Sequence, residues 1–227
     1  MEKLTIPLIE FRNVTVFGRE GNPILKNISF TVDAGEKVLI FGPSGSGKST
    51  ILFTLMGRHR PASGEVLFNN RPLTPKLAKS LRTQITYIPQ TAAPGAESVK
   101  ESLLLPFSFA ANRDLTPSRE KIEQVLTAVN LRGEILNRKT SALSGGEKQR
   151  LAIARALLLE RDLFLIDEPA SALDEKNESD LLRLLLRMEK TLVVITHNSG
   201  WKRSFDKVLE IENGERANLY ERRGDGG

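Results

Sequence analysis

The chain of 227 residues has no cysteine, one tryptophan, two tyrosines and two histidines. The absence of cysteine excludes a disulfide framework and any thiolate metal site, and it suits a reducing compartment. Long apolar runs are also missing. Stretches such as "LLLPFSFAA" at 103–111 fall well short of the ~20 residues that span a bilayer. The first residues, "MEKLTIPLIEF", contain no signal-peptide apolar region, so a cytoplasmic location is expected. No internal repeat and no low-complexity linker interrupts the sequence. The last six residues, "RRGDGG", are expected to fray.

What is present is ordinary in bulk. Hydrophobic residues make up 40% and charged residues 27%, the balance of a globular protein. The length suits one large domain, or one domain with a sizeable insertion. A net charge of +5 mildly favours anionic partners: nucleotides, nucleic acid or a lipid surface.

Strand and helix patterns alternate, which predicts an α/β protein. "LIEFRNVTVF" (8–17) and "ILKNISFTV" (24–32) alternate apolar and polar residues, as half-buried strands do. The second ends at the turn "DAGE". "KVLIFG" (37–42) is a continuous apolar run, typical of a strand covered on both faces. "TILFTLMG" (50–57) reads as a helix closed by Gly57. "GEVLFNN" (64–70) and "ITYIP" (85–89) read as strands. From about 98 to 160 the pattern is helical. Thr116 and Pro117 have the form of an N-cap and first helical residue, ahead of Ile122, Val125, Leu126 and Val129 at helical spacing. Strands return at "LFLID" (163–167) and "TLVVITH" (191–197), with a leucine-rich helix over 175–190 between them. "VLEIENGE" (208–215) reads as a closing strand and turn.

"GPSGSGKST", Gly42 to Thr50, satisfies G-x-x-x-x-G-K-[ST] and stands between a buried-strand pattern and a helical one. Its glycines let the backbone turn sharply and bring N–H groups against phosphate oxygens. The helix starting near Lys48 adds its positive end. Lys48 supplies a point charge for the β- and γ-phosphates, and Ser49 a hydroxyl for magnesium. The guanine-reading N-K-x-D is absent, which argues against a GTPase. "LFLIDE" ends a buried strand with two acids, costly unless the charge has a partner. Asp167 is expected to orient magnesium, and Glu168 to polarise the water that attacks the γ-phosphate. "SALSGGEKQR" (141–150) holds a second glycine-rich helix entrance, with Ser144 and Glu147 at capping-box spacing.

Together these residues resemble the ATP-binding cassette (ABC) family over nearly the whole chain. "GPSGSGKST" (Gly42, Pro43, Ser44, Gly45, Ser46, Gly47, Lys48, Ser49, Thr50) is similar to its Walker A loop and "LFLIDE" to its Walker B strand. "LSGGEKQR" resembles its signature motif, the most specific of the set. Gln90 stands where the family has its Q-loop glutamine, Asp174 in "SALD" at its D-loop, His197 at its switch histidine, and Phe17 at its adenine-stacking aromatic. Two departures remove no catalytic group: Glu147 where glutamine is also common, and Ala170 where threonine is more usual. "TAAPGAESVKESLLLPFSF" after Gln90 is less typical, and the family uses that region to grip its membrane partner.

The resemblance implies a P-loop NTPase with a RecA-like core and an antiparallel β subdomain (1–90 and 161–227), and an inserted helical subdomain (91–160). It implies ATP and Mg2+ as cofactors, with Ser49, Gln90 and Asp167 around the metal. Two cassettes, a homodimer or a paired subunit, would sandwich two ATP molecules. Lys48, Gln90, Glu168 and His197 would act on the subunit's own ATP. Ser144, Gly145 and Gly146 would reach the other subunit's γ-phosphate, with Asp174 at the seam. The expected role is the ATPase subunit of a membrane transporter, held on the cytoplasmic face of the membrane by separate permease subunits. The length suits a lone cassette. The alternative is a family ATPase acting on nucleic acid or ribosomes. Only 54 residues separate Gln90 from Ser144, too few for the long coiled coils of DNA-repair relatives, and the charged linker of ribosomal relatives is absent, so no nucleic acid is expected.

Overall fold

The computed structural model describes residues 6–221, so the first five residues and "RRGDGG" lie outside it. In chain order the elements are β1 (Ile9–Phe17), β2 (Pro23–Val32), β3 (Lys37–Phe41), α1 (Lys48–Leu55), β4 (Ser63–Phe68), β5 (Arg71–Pro72), α2 (Pro75–Leu81) and β6 (Ile85–Ile88). They continue with α3 (Val99–Leu104), α4 (Arg119–Ala128), α5 (Gly145–Leu157), β7 (Leu163–Asp167), α6 (Glu175–Arg187), β8 (Thr191–Thr196), β9 (Lys207–Glu212) and β10 (Glu215–Glu221). The chain forms two compact units. The first runs to Ile85 and takes in Asp162–Leu165 and the described residues from Glu189 on; the second is Thr86–Arg161 and Ile166–Met188.

The first unit carries an antiparallel sheet in the order β2-β1-β4-β5. In β1, Ile9, Phe11, Val14 and Val16 are buried, a step of three in the middle of an alternating strand. The cause is a bulge at Asn13, which has φ 49°. Its N–H donates to Ser29 Oγ at 2.8 Å, and that hydroxyl donates back to Asn13 Oδ1 at 2.9 Å. Among the described residues, the second sheet has six strands in the order β10-β9-β3-β8-β7-β6. Strand β3 pairs in parallel with both β8 and β9, so Val38, Leu39 and Ile40 are all fully buried. Helix α1 starts two residues earlier than the apolar pattern predicts. It closes as expected, with Gly57 at φ 70° after Met56.

In the second unit the helical stretch is three α-helices separated by short 3-10 turns, not one run. Thr116 and Pro117 do not open α4. Its N-cap is Ser118, whose Oγ accepts from Lys121 N–H at 3.1 Å. Pro117 biases the residue before it to extended backbone, and Ser118 is itself a strong cap, so the start moves two residues on. Val125, Leu126 and Val129 are buried as their spacing predicts. Helix α6 stops at Arg187, because Met188 is extended (φ −69°, ψ 127°). The pattern reading missed three elements: β5, α2 and β10. The chain after β9 turns at Asn213–Gly214 and returns antiparallel.

Candidate nucleotide-binding site

The first unit holds the phosphate loop, Phe17 and His197. Gly42 to Thr50 joins β3 to α1. At Gly47, φ is 96° and a Cβ would lie 2.8 Å from the carbonyl oxygen of Ile24. At Gly42 a Cβ would lie 2.1 Å from the carbonyl oxygen of Ile211. Neither position can hold a side chain without moving backbone. Lys48 is buried, and its ammonium donates to the carbonyls of Gly42 (2.8 Å) and Pro43 (2.7 Å). The loop is thereby curled around its own lysine.

Three features fit this loop to a phosphate chain. No side chain caps α1, which opens at Gly47 with no acid in its first turn. The helix end is therefore free of competing negative charge. Ser46 Oγ is buried with no hydrogen-bond partner among the described residues. Gly42 and Gly47 pack against the carbonyls of Ile211 and Ile24, which sets the tight turn a phosphate loop needs. Phe41 and Thr196 are register partners, so the loop and His197 leave adjacent parallel strands at the same level. His197 is exposed at the end of β8. Phe17, 49% exposed, ends β1 opposite Pro23, one residue before the Ile24 that abuts Gly47.

The second unit holds the other expected residues. Asp167 ends β7 and is buried, as is Glu168. Glu168 has φ 46°, a left-handed backbone that costs a non-glycine residue about 1–2 kcal/mol. A turn follows, in which Ser171 N–H donates to the Glu168 carbonyl at 3.2 Å and Leu173 N–H to that of Ala170 at 3.0 Å. It delivers Asp174 as the N-cap of α6. That carboxylate accepts from the backbone N–H of Asn177 (2.9 Å) and from its Nδ2 (2.7 Å), which hold it below the usual aspartate range.

Ser144 caps α5 in a reciprocal box. Its N–H donates to Glu147 Oε2 at 2.8 Å, and Glu147 N–H donates to Ser144 Oγ at 3.2 Å. Arg138 donates to Glu147 Oε1 at 2.7 Å and to the Ala142 carbonyl at 2.6 Å. The bond from Ser144 N–H, and then Arg138, lower the pKa of Glu147. A Cβ on Gly146 would lie 3.3 Å from the Ala172 carbonyl oxygen, and one on Gly145 3.7 Å from Ala172 Cβ. The "SGG" and "SALD" segments are therefore packed together. Gln90 stands apart, exposed two residues past β6.

Residues with no motif complete the arrangement. Arg155 of α5 donates to the carbonyls of Pro94 (3.0 Å) and Ala93 (3.3 Å), and burial lowers its pKa. Ser102 Oγ also donates to Pro94, at 2.6 Å, and Thr140 Oγ1 to Ala96, at 2.7 Å. The segment after Gln90 is thus fixed by its carbonyls. Sequence reasoning has no signal for such bonds, because the acceptors are backbone atoms that every residue carries.

The comparisons agree with one another. The family model described as "ABC transporter" matches residues 25–171. The thiamine import ATP-binding protein ThiQ of Haemophilus influenzae is 36% identical, over 92% of this chain and 97% of that protein. The mitochondrial iron-sulfur clusters transporter ATM1 of Debaryomyces hansenii is 34% identical over 91% of this chain, which spans only 31% of that protein's length. A dimeric, post-hydrolysis ATP-binding cassette bound to ADP and phosphate superposes with a TM-score of 0.82 at 32% identity, covering 95% of this chain and 99% of that one. With an α/β architecture that carries both the phosphate loop and the signature helix, the chain belongs to the ABC transporter family, as one of its ATP-binding cassettes.

Proposed function

We propose that the chain binds and hydrolyses ATP to drive a membrane transporter, acting as a pair of cassettes joined to separate transmembrane permease subunits. The observation that carries this reading is the phosphate loop: a tight turn set by Gly42 and Gly47, a curled-in Lys48, and an uncapped helix start. Pro43, Ser44, Gly45 and Thr50 complete the loop whose N–H groups would wrap the phosphates. Lys48 would move from its loop carbonyls to the β- and γ-phosphates. Phe17 would stack on the adenine.

Ser49, Gln90 and Asp167 would hold magnesium, which supplies positive charge against the phosphate oxygens. Glu168 would accept the proton of the attacking water, and His197 would contact the γ-phosphate and sense its loss. Ser144, Gly145 and Gly146 would present the α5 entrance to the nucleotide of the other cassette, with Asp174 at the seam. Two entrances around one γ-phosphate exclude water and strengthen every charge interaction there. ATP would then hold the pair closed, and hydrolysis would release it. A division into a core (1–90 and 161–227) and a helical subdomain (91–160) would give the closing motion its two parts. The complex would sit on the cytoplasmic face of the membrane through the permease. The thiamine import protein and the iron-sulfur clusters transporter among the relatives favour this reading over one acting on nucleic acid.

The test is phosphate release by the purified chain with Mg-ATP, measured against protein concentration, beside sedimentation with and without ATP. A rate per chain that rises with concentration, together with an ATP-dependent dimer, is the expected result. A rate per chain independent of concentration, with a monomer throughout, overturns the pairing.

A further inference from the structure

The chain's charge of +5 is not spread over its length. Residues 57–84 contain Arg58, Arg60, Arg71, Lys76, Lys79 and Arg82 against a single acid, Glu65, so this segment carries +5 and the rest of the sequence balances to zero. Glu65 is engaged from outside the segment by Arg12, at 3.0 Å. All six basic side chains are exposed. None forms an ion pair with a carboxylate among the described residues.

The fold of the first unit brings the two ends of the segment together. Helix α2 opens at Thr74, whose hydroxyl accepts from Leu77 N–H at 3.2 Å, and it buries Ala78 and Leu81. That face lies on the end of α1: a Cβ on Gly57 would come within 2.5 Å of Ala78 Cβ. Arg82 Nη1 donates to the carbonyl of Met56 at 2.7 Å and pins the contact. Arg58 and Arg60 leave α1 at this junction, with the Arg58 guanidinium 5.4 Å from the centre of the Phe53 ring. Lys76 and Lys79, three apart on α2, are exposed, away from the buried Ala78 and Leu81.

We propose that this surface binds the anionic headgroups of a lipid bilayer directly, as a contact separate from any made through a permease. The proposal rests on the transporter reading only in supposing a membrane nearby. A diffuse group of exposed, unpaired, long cationic side chains suits a diffuse layer of negative charge, with each lysine or arginine adding to the attraction. Recognition of single-stranded nucleic acid needs exposed aromatic platforms among the charges. The exposed aromatics Phe17, Phe109 and Tyr220 lie outside the segment, while Phe53 just before it and Phe68 within it are only partly accessible.

The test is sedimentation of the full chain with phosphatidylcholine vesicles, with and without phosphatidylglycerol. Binding should need the anionic lipid and weaken as salt shortens the reach of charge. The triple variant Arg58→Glu, Lys76→Glu, Lys79→Glu should bind more than about tenfold more weakly. A control of equal charge change elsewhere, Lys100→Glu, Arg113→Glu, Arg132→Glu, should bind close to wild type. Matching melting temperatures and ATP turnover in solution show that both variants are folded. Equal loss in both triples, no preference for the anionic lipid, or binding of a single-stranded oligonucleotide but not vesicles overturns the proposal. Wild-type protein that binds vesicles yet lacks ATP turnover would instead sink the transporter reading and leave this surface standing.

Discussion

Arg155 reaches from the last turn of α5 to the carbonyl oxygen of Pro94, 3.0 Å away, four residues beyond Gln90. The helix that begins at the signature glycines thus holds the segment that begins at the Q-loop glutamine. Arg155→Leu removes two donors and leaves the carbonyls of Ala93 and Pro94 to water. A loss of about 1–2 kcal/mol is expected for these charge-assisted bonds, since the arginine is only partly buried. Faster hydrogen exchange confined to 91–97 is the diagnostic sign. An unchanged exchange pattern would mean that Ser102 and Thr140 suffice.

Glu168→Gln keeps the size of the side chain and its strained backbone while removing the proposed base. ATP affinity should stay within about threefold, while turnover should fall by at least about 100-fold, the usual contribution of a positioned base. The ATP-bound pair should then outlive a size-exclusion run. Wild-type turnover in this variant removes Glu168 from the mechanism.

Ser144 caps α5, and its proposed reach to the other cassette's nucleotide is a second role that substitution can separate from the first. Ser144→Ala loses the α5 cap and about 1 kcal/mol of stability. Ser144→Arg also puts a large cation at the helix entrance, so it should bind ATP yet fail to dimerise. Nucleotide binding by calorimetry and mass by light scattering distinguish the two. An ATP-dependent dimer of the arginine variant would show that the signature does not act across an interface.

The capping box should titrate. Glu147 has a lower pKa folded than unfolded, because its charged form accepts from Ser144 N–H and Arg138. Its contribution is therefore complete above the ordinary glutamate range and disappears as pH falls through the lowered folded value. Glu147→Gln should be less stable than wild type at neutral pH, and the gap should close below about pH 4. A gap of constant size from pH 7 to pH 3 would show that the charge contributes nothing.

The chemistry of this chain was more legible than its packing. At Gly42 and Gly47 the glycine pattern of the loop has a steric cause, because a Cβ there would meet the carbonyl oxygens of Ile211 and Ile24. Buried strands such as Val38–Ile40 were readable because a parallel strand is apolar on both faces. Helix α2 was missed because seven residues with two buried positions leave too short a period to detect. The start of α4 was misplaced because Thr116-Pro117 and Ser118 both carry start signals, and only backbone geometry chooses. The bulge at Asn13 was invisible because asparagine adopts left-handed backbone without a sequence mark of its own.

Among the described residues, five of the six α-helices open on a side chain of their own: Thr74, Ser98, Ser118, Ser144 and Asp174. Helix α1 alone opens on a glycine with nothing to offer. An anion seated there does the work that serine or aspartate does elsewhere, so the missing cap is supplied from solution. Folding and nucleotide level then become one linked quantity. At a ligand concentration about 100 times its dissociation constant, the folded state gains about 2.7 kcal/mol. A cell emptied of ATP would find this protein not only idle but easier to unfold.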